Sequence, residues 1–446
     1  MSPRAFAALV ALTLAASLPM AAAAQQPAAA PNDTALTLPI QPVRTLRFTT
    51  DEATWISLDV SPDGKTIAFD ILGDLYTIPI TGGTATRLTS GMPWDCMPRW
   101  SPDGRTIAFI SDRDGGDNLW LVNADGTGAR RITKEVDNAL SSPMWSPDGQ
   151  YIVVRRFGAY PTEENYLTNV PLWLYHVNGG NGVQFFPSVA TRKTTNTGAA
   201  FSADGRTVYF GSHGGGYTGE NFAAYQIIAF DRERGTETAL TASSGGAYRP
   251  VTSRDGRWLV YATRAGTKTA LRIRDLATQD DRWLVGETQR DDAEGYAPND
   301  VFPGYALTPD SKSVIFYGGG KIKRVDIATR QVSVIPFSAN VEVGMGQHLF
   351  VPAKTSDAPV QVTQLVTVAE SPDARRVAFS AVGKVYIAMR DGLAFGAPRR
   401  ITNAAGREYY PSFSPDGRWV AFASWSDSAG GALWKPAWMA AASRCA

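Results

Sequence analysis

Histidine is the side chain best suited to holding a catalytic metal or moving a proton near neutral pH, and the sequence carries three: His176, His213 and His348. They form no His-x-His pair and no His-Glu-x-x-His, so the chain supplies no recognised set of metal ligands, and no metal or other cofactor is expected. A Gly-x-Ser-x-Gly elbow, which would raise a serine nucleophile on a sharp strand-to-helix turn, does not occur either. Gly214 to Gly219 reads GGGYTG and matches Gly-x-Gly-x-x-Gly, with His213 just before it. A dinucleotide site needs a crossover helix after that loop, whereas AYQIIAF follows here, so the stretch reads as a flexible loop. His176, within LWLYHV, reads as a packed strand residue.

The remaining chemistry-bearing residues are aspartates, and eight of them recur in one setting. Asp63, Asp103, Asp148 and Asp416 each sit in Ser-Pro-Asp-Gly; Asp204, Asp255, Asp310 and Asp373 sit in degenerate copies of it. A calcium loop would need several oxygen ligands per copy, which one Asp beside Pro does not supply. The tetrapeptide is instead a tight turn: Pro presets φ, Asp tolerates the bridge region and Gly accepts positive φ. Successive aspartates stand 40, 45, 56, 51, 55, 63 and 43 residues apart, the signature of a repeated unit of about 40 residues with insertions.

Each turn is followed by a short β-type run: TIAF, TIAF, YIVV, TVYF, WLVY, SVIF, RVAF and WVAF. The better units continue with a strand ending in Leu-Tyr or Leu-Trp, such as Leu75-Tyr76, Leu119-Trp120, Leu172-Trp173 and Leu433-Trp434. A Gly-rich turn and a run such as ATRLT or PRRIT follow. Four antiparallel strands per unit, repeated, predict an all-β fold, a β-propeller of seven to eight four-stranded blades. The unit complete between Trp100 and Gly126 resembles the TolB-like, WD-like β-propeller repeat, and the run from Trp55 to Lys134 looks like the N-terminal propeller of exported amidohydrolases. The resemblance implies a propeller over residues 45–435. Full-length members carry further repeats and a C-terminal metal-dependent amidohydrolase domain; the motifs of that domain do not occur here, so no catalytic residue is assigned.

Arg47, Arg87 and Arg400 each precede the Ser of the next turn by 14 positions, which makes Thr45 to Thr49 a fourth strand with no blade of its own. The last unit has three strands, up to Lys435, and then the irregular PAWMAAASRCA of residues 436–446. Two readings follow: the N-terminal strand closes the ring by pairing beside Leu433-Trp434, which removes exposed edges, or the tail marks a truncation product.

Propeller geometry then places Trp94, Asp95, Asp137, Asn138, Tyr248, Arg249, Glu408 and Tyr409 on one rim with Asp112, Arg113 and Asp114. That rim is a candidate docking surface for a protein or peptide partner. The expected function is a non-catalytic binding or scaffold module, the N-terminal part of a truncated amidohydrolase; the alternative is a hydrolase or lyase working in the propeller channel.

Residues 1–24 combine Arg4, an apolar run and Ala22-Ala23-Ala24, the pattern of a secretory signal peptide, with 25–44 as a flexible leader. The expected location is periplasmic or secreted, with no membrane span. Loss of Arg4 with that segment leaves 42 basic and 42 acidic residues, a balance that speaks against nucleic acid as a partner. Cys96 and Cys445 are the only cysteines, so a hydrophobic core rather than a disulfide framework holds the chain.

Overall fold

The computed structural model describes residues 41–158, 170–185, 194–214, 224–293, 299–347 and 357–435. Residues 1–40, which take in the expected signal segment and most of the expected leader, nearly all of the 214–219 loop, His348 and the tail 436–446 lie outside them. Every regular element among the described residues is a β-strand.

The repeated aspartate is engaged inside its own turn. In the first copy Ser61 Oγ donates to Asp63 Oδ1 at 2.6 Å, which also accepts from Lys65 N at 3.0 Å, while Thr66 N donates to Ser61 Oγ at 2.9 Å. The same triplet recurs in the degenerate copies, for example at Thr308, Asp310 and Ser313. The Ser61 hydroxyl and the Lys65 amide hold the Asp63 carboxyl below the usual carboxylate range. Gly64 has φ +74°, as the turn requires, and the degenerate copies place Ser311 and Ala374 at φ +57° and +55°.

From each turn the chain runs into the second strand of a blade, where alternation sorts the side chains between two neighbours. Blade 1 consists of Leu58–Val60, Thr66–Ile71, Asp74–Pro79 and Thr86–Arg87. Its Ile67, Phe69 and Tyr76 face one way, clustering with Ala306, Ile315 and Ile322; its Ala68 and Leu75 face the other, clustering with Trp100, Ile107, Phe109 and Trp120 of blade 2. Blade 1 thus has a face of larger side chains toward blade 6 and a face with the small Ala68 toward blade 2. Each fully buried Ile, Leu or Phe in such a seam stabilises it by about 2 kcal/mol.

The chain divides into two units, one running to residue 347 without 264–268, the other made of those five residues and residues 348 onward. In the first unit six four-stranded sheets, residues 58–87, 96–131, 138–184, 194–239, 248–285 and 306–335, follow one another as blades 1 to 6. Blade 6 returns to blade 1: Leu58 N donates to Gly304 O at 3.0 Å, Gly304 N donates to Ser57 Oγ at 2.9 Å, and the two blades share one core cluster. The second unit holds two more: blade 7, Val366–Glu370, Arg376–Ala381, Lys384–Asp391 and Arg399–Arg400, and blade 8, Arg407–Phe413, Val420–Ser426 and Gly430–Trp434. Against the seven to eight four-stranded blades expected from the repeat, seven blades have four strands each and blade 8 has three among the described residues, and the six of the first unit close a ring among themselves.

The N-terminal strand does not close the ring in the way its spacing predicts. Arg44–Thr50 pairs antiparallel with Phe337–Met345, setting Phe48 opposite Val341 rather than beside Leu433. The strand Phe337–Met345 leaves blade 6, runs parallel to Gly83–Thr84 at the outside of blade 1, and offers its other edge. A strand edge accepts any extended segment that can satisfy its amides, so an R-Φ-T pattern suited to a blade edge also fits here. Arg47 Nε meets Glu342 Oε2 at 2.8 Å and Thr49 Oγ1 donates to Asn340 Oδ1 at 2.8 Å. Phe48 remains 44% exposed.

Candidate functional site

The first strand of most blades carries a bulge at its centre, with the residue at its apex in the left-handed region: Met97, Ser142 and Arg249 at φ +58°, +56° and +54°. Each precedes a proline three residues before the turn Ser, which excludes the right-handed helical conformation and favours the break. The bulges turn polar groups inward. Asp300, in the segment before blade 6 and itself at φ +69°, collects them.

Asp300 Oδ2 accepts from Arg249 Nη1 at 2.7 Å, Ser142 Oγ at 2.6 Å and Gly198 N at 2.7 Å, and Oδ1 accepts from Val301 N at 2.7 Å. Arg155 Nη1 lies 3.7 Å from Oδ1; its Nε donates to Asn196 O at 2.8 Å. One carboxylate therefore joins blades 3, 4 and 5 to the entry of blade 6. Burial opposes its charge, but Arg155, Arg249 and Ser142 outweigh that and hold the carboxyl below its ordinary range. Arg99 makes the corresponding tie on the other side: Nη1 donates to Leu58 O at 2.8 Å and to Tyr305 O at 3.4 Å, with Asp59 at 3.7 Å. Burial lowers the Arg99 guanidinium to about 10. Asp70, raised to about 7 by burial, accepts from Ser57 N and Met97 N, both at 2.8 Å, and links blades 1 and 2. Asp300, Arg99, Arg155 and Arg249 are all at most 4% exposed. Asp300 is held by Arg249, Ser142 and two backbone amides, and Arg99 and Asp70 by backbone groups of neighbouring blades, which is the arrangement of structural ties rather than of a site holding a free base or nucleophile.

The residues singled out from the sequence divide between interior and surface. Asp95 is fully buried, taking Ser111 Oγ at 2.6 Å and Arg113 Nε at 3.1 Å. Tyr248 is buried with its hydroxyl on Asp291 Oδ2 at 2.8 Å, and Arg249 belongs to the Asp300 cluster. Glu408, in the second unit, is fully buried, accepting from Val385 N at 2.9 Å and from Thr402 Oγ1; Tyr409 beside it is half-buried. Glu408 stands at the blade position of Asp95, six residues before the turn Ser, and both point into their blades instead of displaying charge on a rim.

On the surface of the first unit, Trp94 is 49% exposed, its ring covering Gly73, where a Cβ would come within 3.0 Å of it. The neighbour of Gly73, Leu72, is 51% exposed at φ +49°. Trp94 N donates to Asp112 Oδ1 at 2.7 Å, bringing the acidic loop of blade 2 against this apolar pair. Asp114 pairs with Arg131, Asp137 is exposed, and Asn138 Nδ2 donates to Glu135 Oε2 at 3.1 Å. Asp117 is raised by burial and by Asp112, a charge of its own sign. The surface brought together is thus Leu72, Trp94 and Asp112, of which Leu72 was not among the sequence candidates. The X-Pro apex three residues before the turn was the signal for the inward cluster. Asp300 carries no such signal, because its partners come from four separate segments.

Comparison with known proteins agrees on a propeller. Residues 63–172 match the family described as the Tricorn protease N-terminal beta propeller domain. An uncharacterized peptidase of Bacillus subtilis, YuxL, is 30% identical over 45% of this chain and 28% of its own length. The uncharacterized protein Atu1656 of Agrobacterium fabrum is 34% identical over 31% of this chain and 48% of its own. The chain therefore spans less than half the length of either relative. Among solved structures, TolB from Acinetobacter baumannii is similar with a TM-score of 0.48 and 17% identity, over 64% of this chain and 66% of that one. The tricorn protease gives 0.46 and 16%, over 88% and 35%. The chain is a β-propeller repeat protein, and no helix among its described residues is long and apolar enough to cross a membrane.

Proposed function

We propose that the chain is an exported, non-catalytic propeller module that docks a polypeptide partner, and that it is the N-terminal part of a larger, hydrolase-linked repeat protein. The observation that carries the non-catalytic reading is the Asp300 cluster. The inward-facing groups that a channel hydrolase or lyase would use are buried and paired to one another across the ring. The docking surface we assign is Leu72, Trp94 and Asp112, an apolar pair beside a carboxylate, which suits a segment carrying one aliphatic and one cationic side chain. The larger-protein reading is supported by the Bacillus relative, of whose length the shared region is only 28%.

The test uses purified residues 25–446 and synthetic peptides that pair leucine with lysine, or leucine with glutamate as the control. Saturable, salt-sensitive binding of the lysine peptides that Trp94→Ala weakens at least tenfold supports the proposal. Turnover of peptide, ester or oligosaccharide substrates that depends on Arg155 or Asp300 overturns it, as does binding indifferent to Trp94.

A further inference from the structure

Two buried acids of the first unit, Asp74 and Asp95, each hold one arginine from behind, and their side chains are 4% and 1% exposed. Arg87 Nη2 lies 2.7 Å from Asp74 Oδ2 and donates to Glu342 O at 2.9 Å; Arg113 donates to Asp95 through Nε at 3.1 Å and through Nη2. Both guanidinium planes are thereby fixed, while Nη1 of each has no acceptor among the described residues. The two arginines line one cavity of about 370 Å³, a size suited to a small molecule. The loop between blades 1 and 2 adds a hydroxyl and two amides to its lining: Ser90 Oγ, Gly91 N and Met92 N likewise donate to no described group.

The paired strands Arg44–Thr50 and Phe337–Met345 supply more of the wall. A Cβ at Gly344 would come within 2.9 Å of Met92 Sδ and 3.1 Å of Pro42 Cβ, so the missing side chain lets both close over the strand as an apolar surface. Glu342, the one carboxylate in the lining, is taken by Arg47 at 2.8 Å. Asp95 offsets one of the two guanidinium charges; Asp74, raised to about 7 by burial, offsets the other only once it has lost its proton. The positive excess near neutral pH is therefore no more than a single charge, which matches one carboxylate and not a dianion.

We propose that this cavity binds a monocarboxylate carrying a short apolar group, its oxygens shared between the free Nη1 groups of Arg87 and Arg113 and its carbon chain on Met92 and Pro42. None of Leu72, Trp94 and Asp112 lines the cavity, so the site is separate from the docking surface assigned above, and failure of either leaves the other standing.

The test follows sodium butyrate on purified residues 25–446 by proton saturation transfer from the protein. Butyrate is expected to bind saturably, and 1-butanol and inorganic phosphate at least tenfold more weakly. N-acetyl-glutamate N-methylamide is the second arm: its binding beside butyrate assigns a polypeptide side chain as a source of the carboxylate, and binding of butyrate without it assigns a free acid. Ser90→Trp, at an exposed position, fills the cavity and spares both ion pairs; the double change Arg113→Gln with Asp95→Asn removes one cation together with its buried partner. Each should weaken butyrate at least tenfold at a melting temperature that shows a folded first unit. In the unchanged chain, saturating butyrate should slow hydrogen exchange at Val43 N, which donates to Met345 O at 2.9 Å between Pro42 and Thr45. Equal binding of butyrate and butanol, butyrate binding indifferent to both variants, or no change in exchange at Val43 overturns the proposal.

Discussion

Replacing Asp300 with Asn tests whether the inward cluster is what ties the blades together. The side chain is fully buried and accepts four hydrogen bonds within 2.7 Å, three of them on Oδ2. An amide keeps the shape but offers one acceptor oxygen. If that oxygen takes the Oδ2 position, the new NH2 group faces Val301 N and the Arg155 guanidinium. In either orientation Arg155 and Arg249 lose their shared counter-charge in a site that water does not reach. Removing one member of a buried ion pair destabilises by about 3–5 kcal/mol, because the remaining charge is left uncompensated. At about 2–4 °C per kcal/mol for a domain of this size, the melting temperature of the first unit should fall by roughly 10 °C. Calorimetry and urea unfolding followed by tryptophan fluorescence measure it. A double-mutant cycle with Arg249→Met should return a coupling of about 1–3 kcal/mol. A loss below about 1 kcal/mol for Asp300→Asn, or additivity in the cycle, would refute the tie.

Three further outcomes are expected. The Asp70 carboxyl is raised from 3.8 to about 7, so between those values the folded chain holds a proton that the unfolded chain releases; its contribution to stability is present below about pH 4 and lost as pH rises toward 7. Asp70→Asn should flatten that part of the pH profile of unfolding free energy, and an unchanged slope would contradict the assignment. Ser311→Gly and Ala374→Gly, at φ +57° and +55°, should each raise stability by about 1 kcal/mol in the unit that holds them; denaturant midpoints that do not move would mean the turns relax at no cost. Phe48→Asp should cost only about 1 kcal/mol or less, since the ring is 44% exposed on an edge strand and blade 6 meets blade 1 without it; a chain that fails to fold would restore the N-terminal strand to the closure.

The sequence alone determined the blade. Ser-Pro-Asp-Gly dictates its turn through four neighbouring residues, and the alternation in TIAF and Leu-Trp sorts side chains between two faces whatever lies farther away, because both are local consequences of backbone geometry. The same locality explains why the eight turns were legible at Asp63, Asp103 and their successors. Which strand edge Arg44–Thr50 would choose was not legible. Its R-Φ-T pattern suits any open edge, and the edge it takes exists only once Phe337–Met345 has left blade 6 and crossed to the outside of blade 1. Of the candidate rim residues, Trp94 and Asp112, close in sequence, meet at the surface, whereas Asp95, Tyr248, Arg249 and Glu408, whose polarity suggested solvent, are buried. Their carboxylates, hydroxyl and guanidinium are satisfied by partners up to 51 residues away. Asp300 is the extreme case: nothing within its own segment marks it, and only the closing of the ring brings Ser142, Arg155, Gly198 and Arg249 onto one carboxylate.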